Sequence, residues 1–288
     1  MRVSLLLLVC LIPGLIAKSQ SPGSEQTFSG YLILNEDSVF YEWTGGGQTL
    51  ILIHDGLLHR EVWNEQFSCF SKDYRVVRYD RRGYGASSAA TASFTHLDDL
   101  HALYEHLAIE HAVLIACSSG GALAIDYALA YPGKVDALVL VGAVVGGFSY
   151  TPHMHNRGGY LPGGFASELE EALYYVKDDP YEIFKENTDA KEKALQMIYT
   201  HPPKENRRQR FSRPEVPAYR RLGEISIPAL VMVGEYDIPD VHAHAGAIQA
   251  GIVNSHRLLV PGSGHLIPLE QPAVFNDLLR AFLTDMSN

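Results

Sequence analysis

Short apolar runs rich in β-branched residues alternate with helix-spaced segments along most of this 288-residue chain. Residues 50–53, 74–79, 112–117, 135–141, 229–233 and 257–260 read as strands. Between and after them, residues 61–70, 97–107, 120–131, 241–250 and 274–284 read as helices; Leu97, Leu100, Leu103, Tyr104 and Leu107 fall on one helical face. Pro132-Gly133 ends the helix at 120–131. Parallel neighbouring strands need a crossover, and a helix supplies it in the right-handed sense, so the pattern predicts a doubly wound α/β sheet covered on both faces. Two further strands, 31–34 and 39–43, flank Asn35-Glu36-Asp37-Ser38 as a hairpin. The expectation is a mostly parallel sheet of eight strands.

The alternation breaks between residues 146 and 221. This stretch is more polar, with helical segments at 167–176 and 190–199 and a loop through His153-Met154-His155-Asn156-Arg157-Gly158-Gly159. It divides the core into 20–145 and 222–288 and predicts a helical cap over the carboxyl ends of the strands, where open α/β sheets bind ligands. Its basic run Arg207-Arg208-Gln209-Arg210 reads as solvated surface.

Residues 1–19 read as a signal peptide: Arg2, a short apolar run, then small residues with Ala17-Lys18-Ser19 as the cleavage pattern. The run is too short to span a bilayer and Pro13-Gly14 interrupts it, so export to a periplasm or outside the cell is expected, without stable membrane insertion after processing. The net charge of −10 becomes more acidic once Arg2 and Lys18 leave, which argues against nucleic acid and anionic lipid as partners. With three cysteines in all, a disulfide scaffold is excluded, and Cys69 and Cys117 read as core thiols. No Asn-x-Ser/Thr sequon occurs.

The chemistry concentrates at strand ends. In Ala116-Cys117-Ser118-Ser119-Gly120-Gly121 a strand turns directly into a helix with a serine at the corner. That is the pattern of a nucleophile elbow, whose strained turn demands small residues two before and two after the serine; Ala116 and Gly120 meet the demand. For Ser119 the flanks would be Cys117 and Gly121, and the bulkier cysteine makes Ser118 the better nucleophile. The helix N-terminus behind it favours developing negative charge.

Asp237 follows one late strand and His265 lies in the glycine-rich loop Gly262-Ser263-Gly264-His265 after the next. Ser, Asp and His in this order, each at its own strand end, suit a triad: Ser118 attacks, His265 transfers the proton, Asp237 orients the imidazole. Glu235 and Asp240 compete with Asp237; Glu235 lies nearer the strand, and Asp240 reads as an N-cap for the helix at 241–250.

With these residues in place, the chain from about 29 to 284 resembles the serine-dependent, capped members of the α/β-hydrolase superfamily. His54-Asp55-Gly56-Leu57 is similar to the family's oxyanion turn, and Asp80-Arg81-Arg82-Gly83-Tyr84-Gly85-Ala86-Ser87 to a turn with a structural role there. The resemblance implies an oxyanion hole from the backbone N–H groups of Gly56 and Ser119. Asp55 departs from the family's glycine. Its plain reading is a side chain bonded to loop amides and turned from substrate; if it faces the pocket, a substrate hydroxyl or positive group is implied. Ser118 at the elbow disfavours dehalogenase and epoxide-hydrolase chemistry, which places aspartate there.

No His/Cys cluster with zinc spacing and no phosphate loop appears, Gly45-Gly46-Gly47 reads as a turn, and no cofactor is expected. The leading expectation is a serine hydrolase of small to medium carboxylic esters, acting through an acyl-enzyme. Lactone, amide or carbon–carbon hydrolysis on the same residues is the first rival, and a non-catalytic ligand-binding protein the second.

Overall fold

The computed structural model describes residues 26–155, 164–178, 184, 187–204 and 215–286. The expected signal peptide, the basic run at 207–210 and part of the loop at 153–159 lie outside them.

Strands β1 (Phe28–Leu34), β2 (Asp37–Thr44), β3 (Thr49–Ile53), β4 (Arg75–Tyr79), β5 (Ala112–Cys117), β6 (Val135–Val141), β7 (Ala229–Gly234) and β8 (Ser255–Val260) form one sheet. Their order is β1-β2-β4-β3-β5-β6-β7-β8. The β1–β2 and β2–β4 pairs are antiparallel and the other five parallel, so the eight-stranded α/β expectation holds. The first hairpin turns more tightly than expected: Asp37 and Ser38 already belong to β2, and Asn35 makes the turn at φ 58°.

The helices are α1 (Asn64–Phe70), α2 (His96–His106), α3 (Ser119–Ala130), α4 (Pro152–His155), α5 (Glu168–Lys177), α6 (Thr188–Thr200), α7 (Pro239–Gly251), α8 (Ile267–Glu270) and α9 (Pro272–Met286). The segment expected as a helix over 61–70 divides into a 3-10 turn, Arg60–Trp63, and α1. None of these helices is long and apolar enough to cross a membrane.

Side-chain alternation along the central strands sorts the core into two layers. Ile51, Ile53, Leu114, Ala116, Leu138 and Leu140 pack toward α2, α3 and α7. Leu50, Leu52, Val113, Ile115, Val139 and Val141 pack on the opposite face, in a cluster that continues into Ala172 and Val176 of α5 and Ala194, Met197 and Ile198 of α6. The segment between β6 and β7 therefore shares core with the sheet. Cys117 is buried as expected, whereas Cys69 is only half-buried; both thiols are free.

The aspartate-arginine turn after β4 is a built joint. Asp80 accepts from the backbone N–H of Arg60 (2.8 Å) and Ala86 (2.8 Å) and from Arg60 Nη1 (2.7 Å). Arg82 pairs with Asp99 and Asp37. Buried ions survive only when paired and hydrogen-bonded, and these are.

Candidate active site

β5 ends at Cys117 and α3 begins at Ser119, so Ser118 alone makes the corner, at φ 53° and ψ −119°. A β-carbon in that region is strained, and the surroundings hold it there. Ser118 N–H donates to Val141 O (2.9 Å), and its carbonyl accepts from Gly121 N (2.9 Å). The glycines that follow are obligatory. A Cβ at Gly120 would sit 2.5 Å from the His54 carbonyl oxygen, and one at Gly121 would sit 2.4 Å from Ala143 Cβ. Ser119, the other serine, is the first residue of α3, and its Oγ accepts from Arg81 Nη2 (3.0 Å). The strained corner thus belongs to Ser118 and the helix N-terminus to Ser119, whose N–H has no intrahelical acceptor.

At the ends of β7 and β8, His265 Nδ1 and Asp237 Oδ2 lie 2.8 Å apart. Asp237 Oδ1 accepts from Ile238 N (2.8 Å), which fixes the carboxylate plane. Of the competing acids, Glu235 turns outward to Gly262 N (2.9 Å). Asp240 is buried in the first turn of α7 and is not its N-cap, which is Ile238. It accepts instead from Thr151 N (2.7 Å) and Thr151 Oγ1 (2.8 Å), tying the start of the insertion to the core.

Ser118, Ser119, Gly56, Asp55 and His265 line one cavity of about 230 Å³, closed by Leu57, Val144, Tyr150, Met154, Tyr175, Val241 and Leu266. Asp55 meets half of its plain reading. Its Oδ1 accepts from Leu57 N (2.6 Å) and Leu58 N (2.9 Å), shaping the Gly56 turn. Its Oδ2 is buried without a hydrogen-bond partner, and the residue belongs to the cavity wall.

Three contributors escaped the sequence reading. Arg81 donates Nη2 to the Asp55 carbonyl as well as to Ser119, bringing a cation behind the turn that carries the Asp55 charge. Glu270 accepts from Gly264 N (2.9 Å) and Leu266 N (3.0 Å), bracketing His265 on both sides; burial raises its pKa. Gly142, at φ 51°, lies so close that a Cβ there would be 3.1 Å from His265 Nδ1 and 3.2 Å from Asp237 Oδ2. Only Arg81 had a visible signal, its place in the turn after β4. His54 supports the same region: Nδ1–H donates to the Asp55 carbonyl (2.7 Å) and Nε2 accepts from Arg81 N (2.9 Å). Burial, reinforced by Arg81, holds its pKa well below the usual histidine range, matching that neutral tautomer.

The family model of the α/β hydrolases matches residues 50–278, spanning the sheet, the corner serine and the Asp–His pair. The chain belongs to the α/β-hydrolase family. As a member, it is 27% identical to a putative non-heme chloroperoxidase of Synechocystis over 85% of this chain and 94% of that protein. It is 24% identical to carboxylesterase YbfK of Bacillus subtilis over 86% and 88% of the two chains. Among solved structures, a thermophilic esterase from Thermogutta terrifontis superposes with a TM-score of 0.73 at 25% identity, covering 90% of this chain and 99% of its own.

Proposed function

We propose that this α/β hydrolase is a serine esterase acting on short acyl esters. The observation that carries the reading is the Asp237–His265 pair, 2.8 Å apart, whose histidine lines the same cavity as the strained Ser118. Ser118 Oγ attacks the acyl carbon while His265 Nε2 takes its proton; Nδ1–H donates to Asp237, which orients the ring and stabilises the imidazolium. The tetrahedral oxyanion is held by the N–H groups of Gly56 and Ser119, each such donor worth about 10²–10³ in rate. His265 then protonates the leaving alcohol, the acyl-Ser118 ester remains, and water deacylates it by the reverse proton path.

A cavity of about 230 Å³ walled by leucine, valine and tyrosine side chains suits a short apolar acyl group. It falls below the range of about 300–1,000 Å³ typical of drug-sized ligands. Several wall residues, Tyr150, Met154 and Tyr175, come from the segment between β6 and β7, which in this proposal is the cap and sets acyl preference. The carboxylesterase and esterase relatives support the ester bond as substrate. Residues 1–19 direct the chain to export in the same proposal.

Hydrolysis of p-nitrophenyl butyrate by wild type and Ser118→Ala tests it, beside a panel of lactones and aminoacyl arylamides. Loss of about 10⁴ or more in kcat for the variant is expected. Equal activity in the two proteins overturns the role of Ser118, and a strong preference for lactone or arylamide overturns the ester assignment.

A further inference from the structure

Away from the Ser118 cavity, two imidazoles from distant parts of the chain meet. His59, at the head of the 3-10 turn that follows the Gly56 loop, is 2% exposed. His201 caps the C-terminus of α6 in the insertion, and the two ring centroids are 5.1 Å apart, edge to face. His59 Nε2 faces the Met197 carbonyl at 3.3 Å, which makes it the protonated nitrogen. Its Nδ1 therefore carries a lone pair, is buried, and has no hydrogen-bond partner; His201 Nδ1 is buried and unpartnered as well. Two buried ring nitrogens without hydrogen-bond partners are costly unless something fills the space. Glu61 joins them, and one ligand atom from each of His59, Glu61 and His201 lies within 4.8 Å of the others.

We propose that His59, Glu61 and His201 form a site for a divalent transition-metal ion of the zinc class, clamping α6 of the insertion to the loop that carries Gly56. The donor set is two neutral imidazoles and one carboxylate, which matches zinc and leaves a fourth position for water. His59 shows the arrangement common among metal-bound histidines, one nitrogen anchored to a carbonyl and the other free to ligate. Burial lowers the His59 pKa, which keeps the ring in its ligating form at neutral pH. Asp80 Oδ1, 4.0 Å from His59 Nδ1, adds negative potential behind the site. Arg60 opposes it, with Nη2 3.6 Å from Glu61 Oε1, so Glu61 must turn from that arginine to bind. Ligands around tetrahedral zinc lie about 3.3 Å apart, so the three groups close by an ångström or so on binding. Neither spacing nor motif announces this site, because Glu61 and His59 are brought to His201 only by the packing of α6 on the core.

The test uses the full-length purified protein, stripped with EDTA and titrated with zinc chloride by equilibrium dialysis with metal analysis. One equivalent is expected, and at free zinc 100-fold above Kd a Tm increase of about 4–5 °C. His201→Ala and Glu61→Gln should each weaken binding by at least about tenfold and shrink the Tm shift. His265→Ala should retain both, which separates this site from metal captured at the proposed triad. Cobalt in place of zinc should give the visible bands of a tetrahedral ion in wild type and lose them in His201→Ala. Absence of a bound equivalent in wild type overturns the proposal, as does undiminished binding and stabilisation in both His201→Ala and Glu61→Gln.

Discussion

The carboxyl rim of the sheet and the insertion above it are held in different ways. At the rim, Ser118 sits between a strand and a helix, gripped by Val141 and Gly121; glycines at 120 and 121 admit neighbours that a Cβ would strike, and Gly142 holds a tight, positive-φ position beside Asp237 and His265. The Asp237–His265 pair is braced by Ile238, Gly264 and Leu266 through Asp237 and Glu270. Among its described residues, the insertion packs α5 and α6 by apolar contacts and adds polar ties from Asp240 to Thr151, Asn187 Nδ2 to the Glu270 carbonyl, Lys204 N–H to the Gly83 carbonyl and His59 to the Met197 carbonyl. An over-determined rim suits chemistry that tolerates little displacement, whereas a segment packed mainly through apolar side chains can vary its lining without moving the strand ends beneath it.

Asp237→Asn strikes the rim hardest. It removes the acceptor that orients Nδ1–H, and kcat for p-nitrophenyl butyrate should fall by about 10⁴, with KM little changed. A variant that keeps wild-type kcat would place the supporting acid elsewhere. Gly120→Val comes next: its Cβ collides with the His54 and Ile53 carbonyl oxygens. Backbone cannot yield as a flexible side chain does, so a loss of at least about 3 kcal/mol is expected in urea unfolding; an unchanged midpoint would mean the elbow is looser than described.

Asp240→Ala probes the cover instead. It strips Thr151 N–H and Oγ–H of their buried acceptor. KM should rise by roughly three- to tenfold while kcat stays within about twofold, the signature of lost binding rather than lost chemistry. Equal loss in kcat would merge the two regions into one unit.

The smallest effect is a pH dependence of stability. His54, His96 and His244 are buried with pKa values lowered by desolvation, His244 to about 4. Below about 6.5 the unfolded chain binds protons at these histidines and the folded chain does not, so stability falls as pH drops from about 6.5 toward 4. Asp99, raised by burial to about 6, works against this, because the folded state takes up its proton first. His59, lowered by burial, joins these histidines, and Glu270, raised by burial, joins Asp99. Four histidines outweigh two carboxyls, and Tm should decline by several degrees across that window in calorimetry; a flat or rising Tm would show the reverse balance.

Much of the rim was legible before any coordinates. Ser118, Asp237 and His265 stand at strand ends in order, and the small residues around Ser118 are a local steric demand that sequence displays directly. Choosing Asp237 over Glu235 and Asp240 was possible only in part, because where the rival carboxylates point depends on partners, Gly262 for Glu235 and Thr151 for Asp240, that loops deliver from elsewhere. Asp55 was legible as an anomaly but not as a residue with one oxygen on loop amides and the other buried without a partner beside the cavity.

What the sequence alone determined is the succession of eight strands and their alternating helices along the chain, and the chemical identity of the residues at the strand ends, because periodicity and turn sterics act over a few residues. What tertiary structure decided is every meeting across long separations: Arg81 behind Ser119, Asp240 against Thr151, and His59 against His201. Those contacts follow from how layers pack on the twisted sheet, and no local pattern in the chain encodes the distance between two surfaces that packing brings together.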